Sequence, residues 1–189
     1  MKKLLLLLCF VFIHQVVYPV YFKHLGMSDG LSQVSVMSIY QDCLGRMWFG
    51  TREGVSIYDG ERMRVYKGWE NLDPKSSINV LLGHECDHLT GNRQGDIFFR
   101  TCDSLVRYDI REEKFCVVSG CKAKTITSAD GDIWTGYDDM VCRYDEKGDS
   151  LQLYAKTNTP GISSLLISGK KIWIGTYEGL YVIEEDKKV

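Results

Sequence analysis

Three prolines among 189 residues, no run of Lys or Arg longer than two and a single apolar run of ten set the first limits on this chain. Without a basic stripe, and at a net charge of −2, it offers nothing to a phosphate backbone, so nucleic acid is excluded as a partner. No second apolar segment approaches the roughly 18 residues of a membrane span, so the chain beyond its first run reads as soluble. There is no G-x-S-x-G elbow and no glycine-rich phosphate loop, which removes two common routes to hydrolysis and phosphoryl transfer. Few prolines and many Gly, Asp and Ser residues between short apolar runs fit tight turns between strands.

The one apolar run, Leu4–Ile13, follows Lys2 and Lys3 and has the length of a signal-peptide core. Residues 1–20 are therefore read as a signal peptide with no defined cleavage site, and the chain as exported to the periplasm. Cys9 follows Leu7 and Leu8 instead of small residues, which argues against a lipoprotein anchor. Six cysteines remain: Cys43, Cys86, Cys102, Cys116, Cys121 and Cys142. They do not recur at equivalent places in the repeats described next. The expectation is mostly buried thiols packing as small hydrophobes, with one bridge, Cys116–Cys121, left open.

Four segments align without a gap: GRMWFGTREGVSIYDG, GDIFFRTCDSLVRYDI, GDIWTGYDDMVCRYDE and KKIWIGTYEGLYVIEE. Trp48, Phe98, Trp134 and Trp173 match, as do Tyr58, Tyr108, Tyr144 and Ile183 ten residues later. The anchors are 50, 36 and 39 residues apart, the period of one four-stranded propeller blade. Each unit supplies a strand before its anchor (36–40, 79–82, 124–127 and 164–167) and one carrying it. Each then has a strand ending in the second large residue, and the first three units show an outer strand (63–66, 114–118 and 151–154). The fold expected is all-β, a partial β-propeller of about four blades spanning residues 21–189. A twisted sheet cannot bury both of its faces alone, so the anchors are expected to stack between neighbouring blades. Small residues nearby, Gly50, Thr51, Gly136, Gly175 and Thr176, would let adjacent backbones approach. The fourth unit reaches Val189 before an outer strand, so the chain reads as the front portion of a longer propeller. Tyr21–Leu25 would then complete its closing blade.

Residues 22–60 carry a more specific signature: a turn with Asp42 and Gly45, then Trp48-Phe49-Gly50-Thr51, Gly54, and a strand ending in Tyr58-Asp59. This resembles the two-component regulator propeller repeats in the periplasmic sensor region of hybrid two-component regulators from Bacteroidetes. The fourth copy keeps Trp173–Thr176 and Gly179 but ends in Ile183-Glu184. The second and third have drifted at Arg100-Thr101 and Thr135-Gly136. The resemblance implies a fragment of a sensor's input domain, responsive to a glycan or oligosaccharide and without catalytic modules or a cofactor. Its partners would be the remainder of the sensor and, in the full-length context, a second copy in a homodimer.

Two other function classes compete with sensing. His84-Glu85-Cys86-Asp87-His88 matches the H-E-x-x-H pattern of zinc hydrolases, in which His84 and His88 would bind the metal and Glu85 would activate water. That chemistry requires a helix, and Gly83 before and Gly91 after leave little room for one. The repeat frame sets the segment instead in a turn between strand 79–82 and the Phe98 strand. A structural interaction scaffold is the third class. Trp69 and Tyr137 suit stacking on a sugar ring but are read first as loop padding.

Overall fold

The structure, a computed structural model, describes residues 20–67, 85–102, 104–120 and 122–184. Trp69, His84, Cys121, the 79–82 strand and the signal peptide short of Val20 lie outside the described residues. Among the described residues no helix is long and apolar enough to cross a membrane.

Fifteen strands are described, in four antiparallel meanders. Blade 1 comprises β1 (Val36–Gln41), β2 (Met47–Thr51), β3 (Gly54–Tyr58) and β4 (Met63–Tyr66). Blade 2 holds β5 (Cys86–Gly91), β6 (Ile97–Thr101), β7 (Ser104–Asp109) and β8 (Lys114–Val117). Blade 3 follows with β9 (Thr125–Ala129), β10 (Asp132–Tyr137), β11 (Met140–Asp145) and β12 (Ser150–Lys156). Blade 4 shows three strands, β13 (Ile162–Ser168), β14 (Lys171–Thr176) and β15 (Gly179–Glu184). The first strand of each blade packs beside the first strand of the next, so β1, β5, β9 and β13 succeed one another about a common axis. This is the partial propeller the repeats predict.

The anchors do what the two-faced sheet requires. Trp48 is fully buried and meets Tyr108 of blade 2 edge-on, with ring centroids 4.9 Å apart. Phe98 repeats the contact one blade later, meeting Tyr144 at 4.9 Å and the same 65° between planes. At the third junction Trp134 lies in an apolar cluster against which Ile183 packs. The two residues that the alignment sets ten apart are thus the two sides of one joint, each reaching a different neighbour.

Small residues permit the close approach. A Cβ on Gly50 would stand 2.4 Å from the carbonyl oxygen of Cys86 in blade 2, and one on Gly136 2.5 Å from Ile162 in blade 4. Gly54 serves a turn instead: it has φ +90°, and a side chain there would meet the Tyr66 carbonyl at 2.1 Å. Thr51 closes that turn by donating from its hydroxyl to Gly54 O at 3.0 Å while accepting from Glu53 N at 3.1 Å. Thr176 does the same for Gly179 and Glu178.

Asp42 fastens the first anchor. Its carboxylate accepts from the Trp48 indole at 2.8 Å, from Arg46 Nε at 2.7 Å, and from the backbone of Leu44 and Arg46. Burial pushes its pKa upward, but the hydrogen bonds from Trp48 and Arg46 outweigh that and hold it below the usual carboxylate value. Asn92 repeats the turn-closing half of this role, accepting from Gln94 N and Asp96 N.

The structure departs from the sequence expectations in three places. The innermost strand of blade 2 is Cys86–Gly91, so residues 86–88 are strand and not the turn expected. Counting back eight from the anchor finds it: Tyr40 pairs with Trp48, and Thr90 with Phe98. The cysteines are also less uniformly buried than expected. Cys86 and Cys142 are buried and Cys116 is half-buried, but Cys43 and Cys102 are exposed, both on turns between strands. Residues Tyr21–Leu25 form no strand, and Tyr21 and Phe22 stand exposed.

Two predictions follow from the joints. Trp48→Ala should cost about 3–5 kcal/mol in urea unfolding. A double-mutant cycle with Tyr108 should show a coupling of about 0.5–1.5 kcal/mol, whereas additive costs would mean that the rings contribute area alone. The Asp42 carboxylate, with its folded pKa below its unfolded one, contributes stability that is complete above about pH 4 and lost as pH falls through the folded value. The stability gap between the wild type and Asp42→Ala should therefore be wider at pH 6 than at pH 2.5.

Candidate functional site

Blades 2 and 3 differ most from the repeat frame, and the edge they share holds a groove of about 450 Å³. Its lining includes Arg93 and Gln94 from the β5–β6 turn, Asp132 and Arg143 from blade 3, the β11–β12 turn at 145–147, and Gln152 and Tyr154 of β12. A register shift in the β11–β12 pairing, between Val141 and Cys142, matches Ala155 and Leu153 to β11 and leaves Tyr154 without an opposite residue. Such a bulge turns a side chain out of the regular alternation. Tyr154 comes to lie edge-on to Trp134 at 4.8 Å and remains 39% exposed.

The polar walls are held in place. Arg143 pairs with Asp132 at 2.7 Å, its guanidinium 5.5 Å from the Trp134 ring centre. Gln94 donates to Glu146 at 2.6 Å, bridging the two blades, and Gln152 donates to Asp145 at 2.8 Å. Arg93 donates to the carbonyl oxygen of Asp130. The groove thus combines an aromatic edge with polar side chains that are bonded to one another.

Beside the groove lies a recess of about 170 Å³ lined by Arg107, Asp96, Asp149 and Tyr144. Arg107 grips Asp149 with two nitrogens, at 3.2 and 3.1 Å, and reaches Asp96 and Asp109 at 3.0 Å each. Tyr144 donates to Asp149 at 2.6 Å. Burial works against the Arg107 charge, but the bonds to Asp149, Asp109 and Asp96 outweigh it, so its pKa is raised and it stays cationic. Burial pushes the Tyr144 phenol upward, and Asp149 adds to the shift. Neither group is poised for proton transfer near neutral pH. The cluster is a tie between blades that supports the groove wall.

Of the H-E-x-x-H segment, Glu85 to His88 are described and His84 lies outside the described residues. Cys86, Asp87 and His88 lie on strand β5 and not on the helix that the zinc chemistry requires. Glu85 is exposed, and His88, at φ +53° on a bulge, is bonded to Asp87 at 2.9 Å. Asp87 is also gripped by Arg100. Burial raises its pKa, but the bonds from His88 and Arg100 prevail and hold it low. Burial pushes the Cys86 thiol up to about 12, so it remains protonated. Among the described residues no group of three or more His, Cys, Asp or Glu side chains is arranged to hold a metal.

Tyr137 is half-buried at the far end of β10 from Asp132, and the Lys122 ammonium lies 5.4 Å from its ring centre. It is therefore remote from the groove. Sequence reasoning missed Arg93, Arg143 and Tyr154. The one signal for Tyr154 was an extra aromatic in a strand whose partner has no place for it.

No family model matches the chain. A curated relative, histidine kinase P4 of Formosa agariphila, is 39% identical over 59 residues, which is 31% of this chain and 4% of that protein. The chain is similar in structure to a protein described as the extracellular domain of a hybrid two component system from B. thetaiotaomicron. The TM-score is 0.69 at 16% identity, over 88% of this chain and 23% of that one. Virginiamycin B lyase from Staphylococcus aureus shares the fold at a TM-score of 0.52 and 18% identity, over 84% of this chain and 58% of the lyase. The propeller fold stands on these likenesses. The chain spans a small part of the kinase and of the extracellular domain, and the fold also carries enzymes.

Arg107→Met should destabilise the chain by about 1.5–3 kcal/mol, the scale of hydrogen bonds to a charged group, as read by thermal unfolding. Loss of that tie should leave the Trp48–Tyr108 joint intact, with near-ultraviolet dichroism of native shape before the melt.

Proposed function

We propose that this chain is part of the extracytoplasmic input domain of a hybrid two-component regulator, exported to the periplasm, where it binds an oligosaccharide without transforming it. The observation that carries this reading is the first repeat. Its Asp42–Trp48–Gly50–Thr51–Gly54–Tyr58 pattern resembles the sensor repeats, and Asp42, Trp48, Gly50, Thr51 and Gly54 each have a structural task in the blade. The similarity to a histidine kinase and to an extracellular two-component domain supports the same reading. Signalling chemistry would belong to the remainder of the sensor.

The groove between blades 2 and 3 is the site assigned to the ligand. A sugar face would stack on Tyr154 while its hydroxyls exchange hydrogen bonds with Arg93, Arg143 and Gln152. A rigid blade pair presents these groups with little ordering cost, which suits a receptor that must respond at modest affinity. The lyase likeness carries no catalytic residues to this chain. Raised pKa values at Tyr144 and Cys86 leave both groups protonated, unsuited to act as a base or nucleophile.

Titration of the purified chain with a panel of soluble oligosaccharides, followed by calorimetry and product analysis, tests the reading. Binding of at least one glycan without turnover is expected, weakened about tenfold or more in Tyr154→Ala and Arg143→Ala. Turnover of a bound glycan, or no binding across the panel, would overturn it.

A further inference from the structure

One end of the joint between blades 1 and 2 holds two buried donors that no acceptor meets. The Tyr108 hydroxyl and Arg46 Nη2 are both shielded from solvent and unbonded, although Arg46 Nε donates to Asp42 at 2.7 Å. Buried polar groups are almost always bonded, because an unmade bond leaves the whole cost of desolvation standing. Burial raises the Tyr108 pKa most, Tyr66 and Glu113 raise it further, and Arg46 lowers it. All three side chains therefore lie within electrostatic reach of the phenol.

The next joint shows the same parts closed. Tyr144 holds in blade 3 the place of Tyr108 in blade 2, and its hydroxyl donates to Asp149, five residues on, at 2.6 Å. Arg107 of blade 2 grips that carboxylate from across the joint. Five residues after Tyr108 stands Glu113. The two hairpins are of equal length: β7 ends at Asp109 and β8 begins at Lys114, as β11 ends at Asp145 and β12 begins at Ser150. Glu113 has φ +53° and Asp149 +44°, so both carboxylates leave the backbone from the same left-handed conformation. Glu113 already crosses the joint, but toward Arg64 of blade 1, at 3.8 Å and with both side chains 57% exposed. So exposed a pair holds the carboxylate weakly. Glutamate is one methylene longer than aspartate, which gives Glu113 at least the reach that Asp149 uses.

We propose that Glu113 is a latch with two settings, turning from Arg64 to the buried pair so that its carboxylate accepts from Tyr108 and from Arg46 Nη2. In the closed setting Arg46 bridges Asp42 and Glu113, as Arg107 bridges Asp96, Asp109 and Asp149. Blade 2 is then tied to blade 1 beside the Trp48–Tyr108 contact. In the open setting the exposed Arg64 pair takes the place of that tie. The joint between blades 1 and 2 is thus adjustable where the joint between blades 2 and 3 is fixed. This inference rests on blade geometry and not on the sensor reading.

Thermal unfolding of the full chain carrying Tyr108→Phe and Glu113→Ala, singly and together, tests the latch. Removing an unbonded buried hydroxyl is neutral or stabilising, whereas removing a latched one destabilises. Tyr108→Phe should therefore lower the melting temperature by about 2–4 °C in the wild-type background and leave it unchanged where Glu113→Ala is already present. Tyr144→Phe, with and without Asp149→Ala, supplies the pattern of a bond already made. A Tyr108→Phe variant as stable as the wild type, or more so, would overturn the proposal. An equal loss in both backgrounds would overturn it too, by assigning the hydroxyl to water. A loss abolished by Tyr66→Phe and not by Glu113→Ala would do the same, with Tyr66 as the acceptor.

Discussion

The edge-on joint between an anchor aromatic and the large residue of the next blade is the constraint on which this fold depends. A four-stranded sheet with apolar side chains on both faces has no stable solitary state, so each blade takes its second cover from a neighbour. Trp48, Phe98 and Trp134 supply one half of that cover, and Tyr108, Tyr144 and Ile183 the other. The three apolar clusters accordingly lie at the three junctions and not within single sheets. Stability in such an array is close to a sum of nearest-neighbour terms, so damage at one joint is felt most by the two blades that share it.

Polar groups then fix what apolar burial leaves free. The Ser38 hydroxyl accepts from Leu89 N, and the Ser128 hydroxyl donates to Gly91 O, so inner strands are registered by one bond across a junction. Asp42 draws the first anchor's indole toward its own turn. Arg107 with Asp149 ties blade 2 to blade 3 at the edge, where apolar contact ends. Each device lies where a backbone or ring would otherwise have a choice of positions.

The sequence made the blades legible because the repeat constrains side chains that recur. The anchors, their partners ten residues on, and most strands could be placed from the alignment alone. The inner strand of blade 2 could not: Cys86-Asp87-His88 is polar enough to pass for a turn, and its polarity is accounted for only by Arg100 across the sheet. The apolar 79–82 run is the stronger strand signal in the sequence. Likewise the groove depends on a bulge at Tyr154 and on the meeting of residues 94 and 146, which no spacing rule connects. Exposure of Cys43 and Cys102 follows from turn placement, which an unaligned cysteine does not reveal.

The drift of the middle repeats has a structural meaning. In blades 1 and 4 the threonine after the anchor strand closes the next turn with the same pair of bonds, and blade 2 keeps Thr101 at that place. Blade 2 places Arg100 where the others have glycine and satisfies it with Asp87 and the Cys102 carbonyl. Blade 3 places Tyr137 in the threonine's position, and Lys122 covers its ring. The four-stranded sheets of blades 2 and 3 and the Phe98–Tyr144 joint between them are nevertheless formed. The same two blades hold the groove. Ligand recognition in a repeat array must come from residues that break its symmetry, since a group present in every blade serves the ring. Arg93, Arg143 and Tyr154 meet that criterion, whereas Trp48 and its equivalents do not.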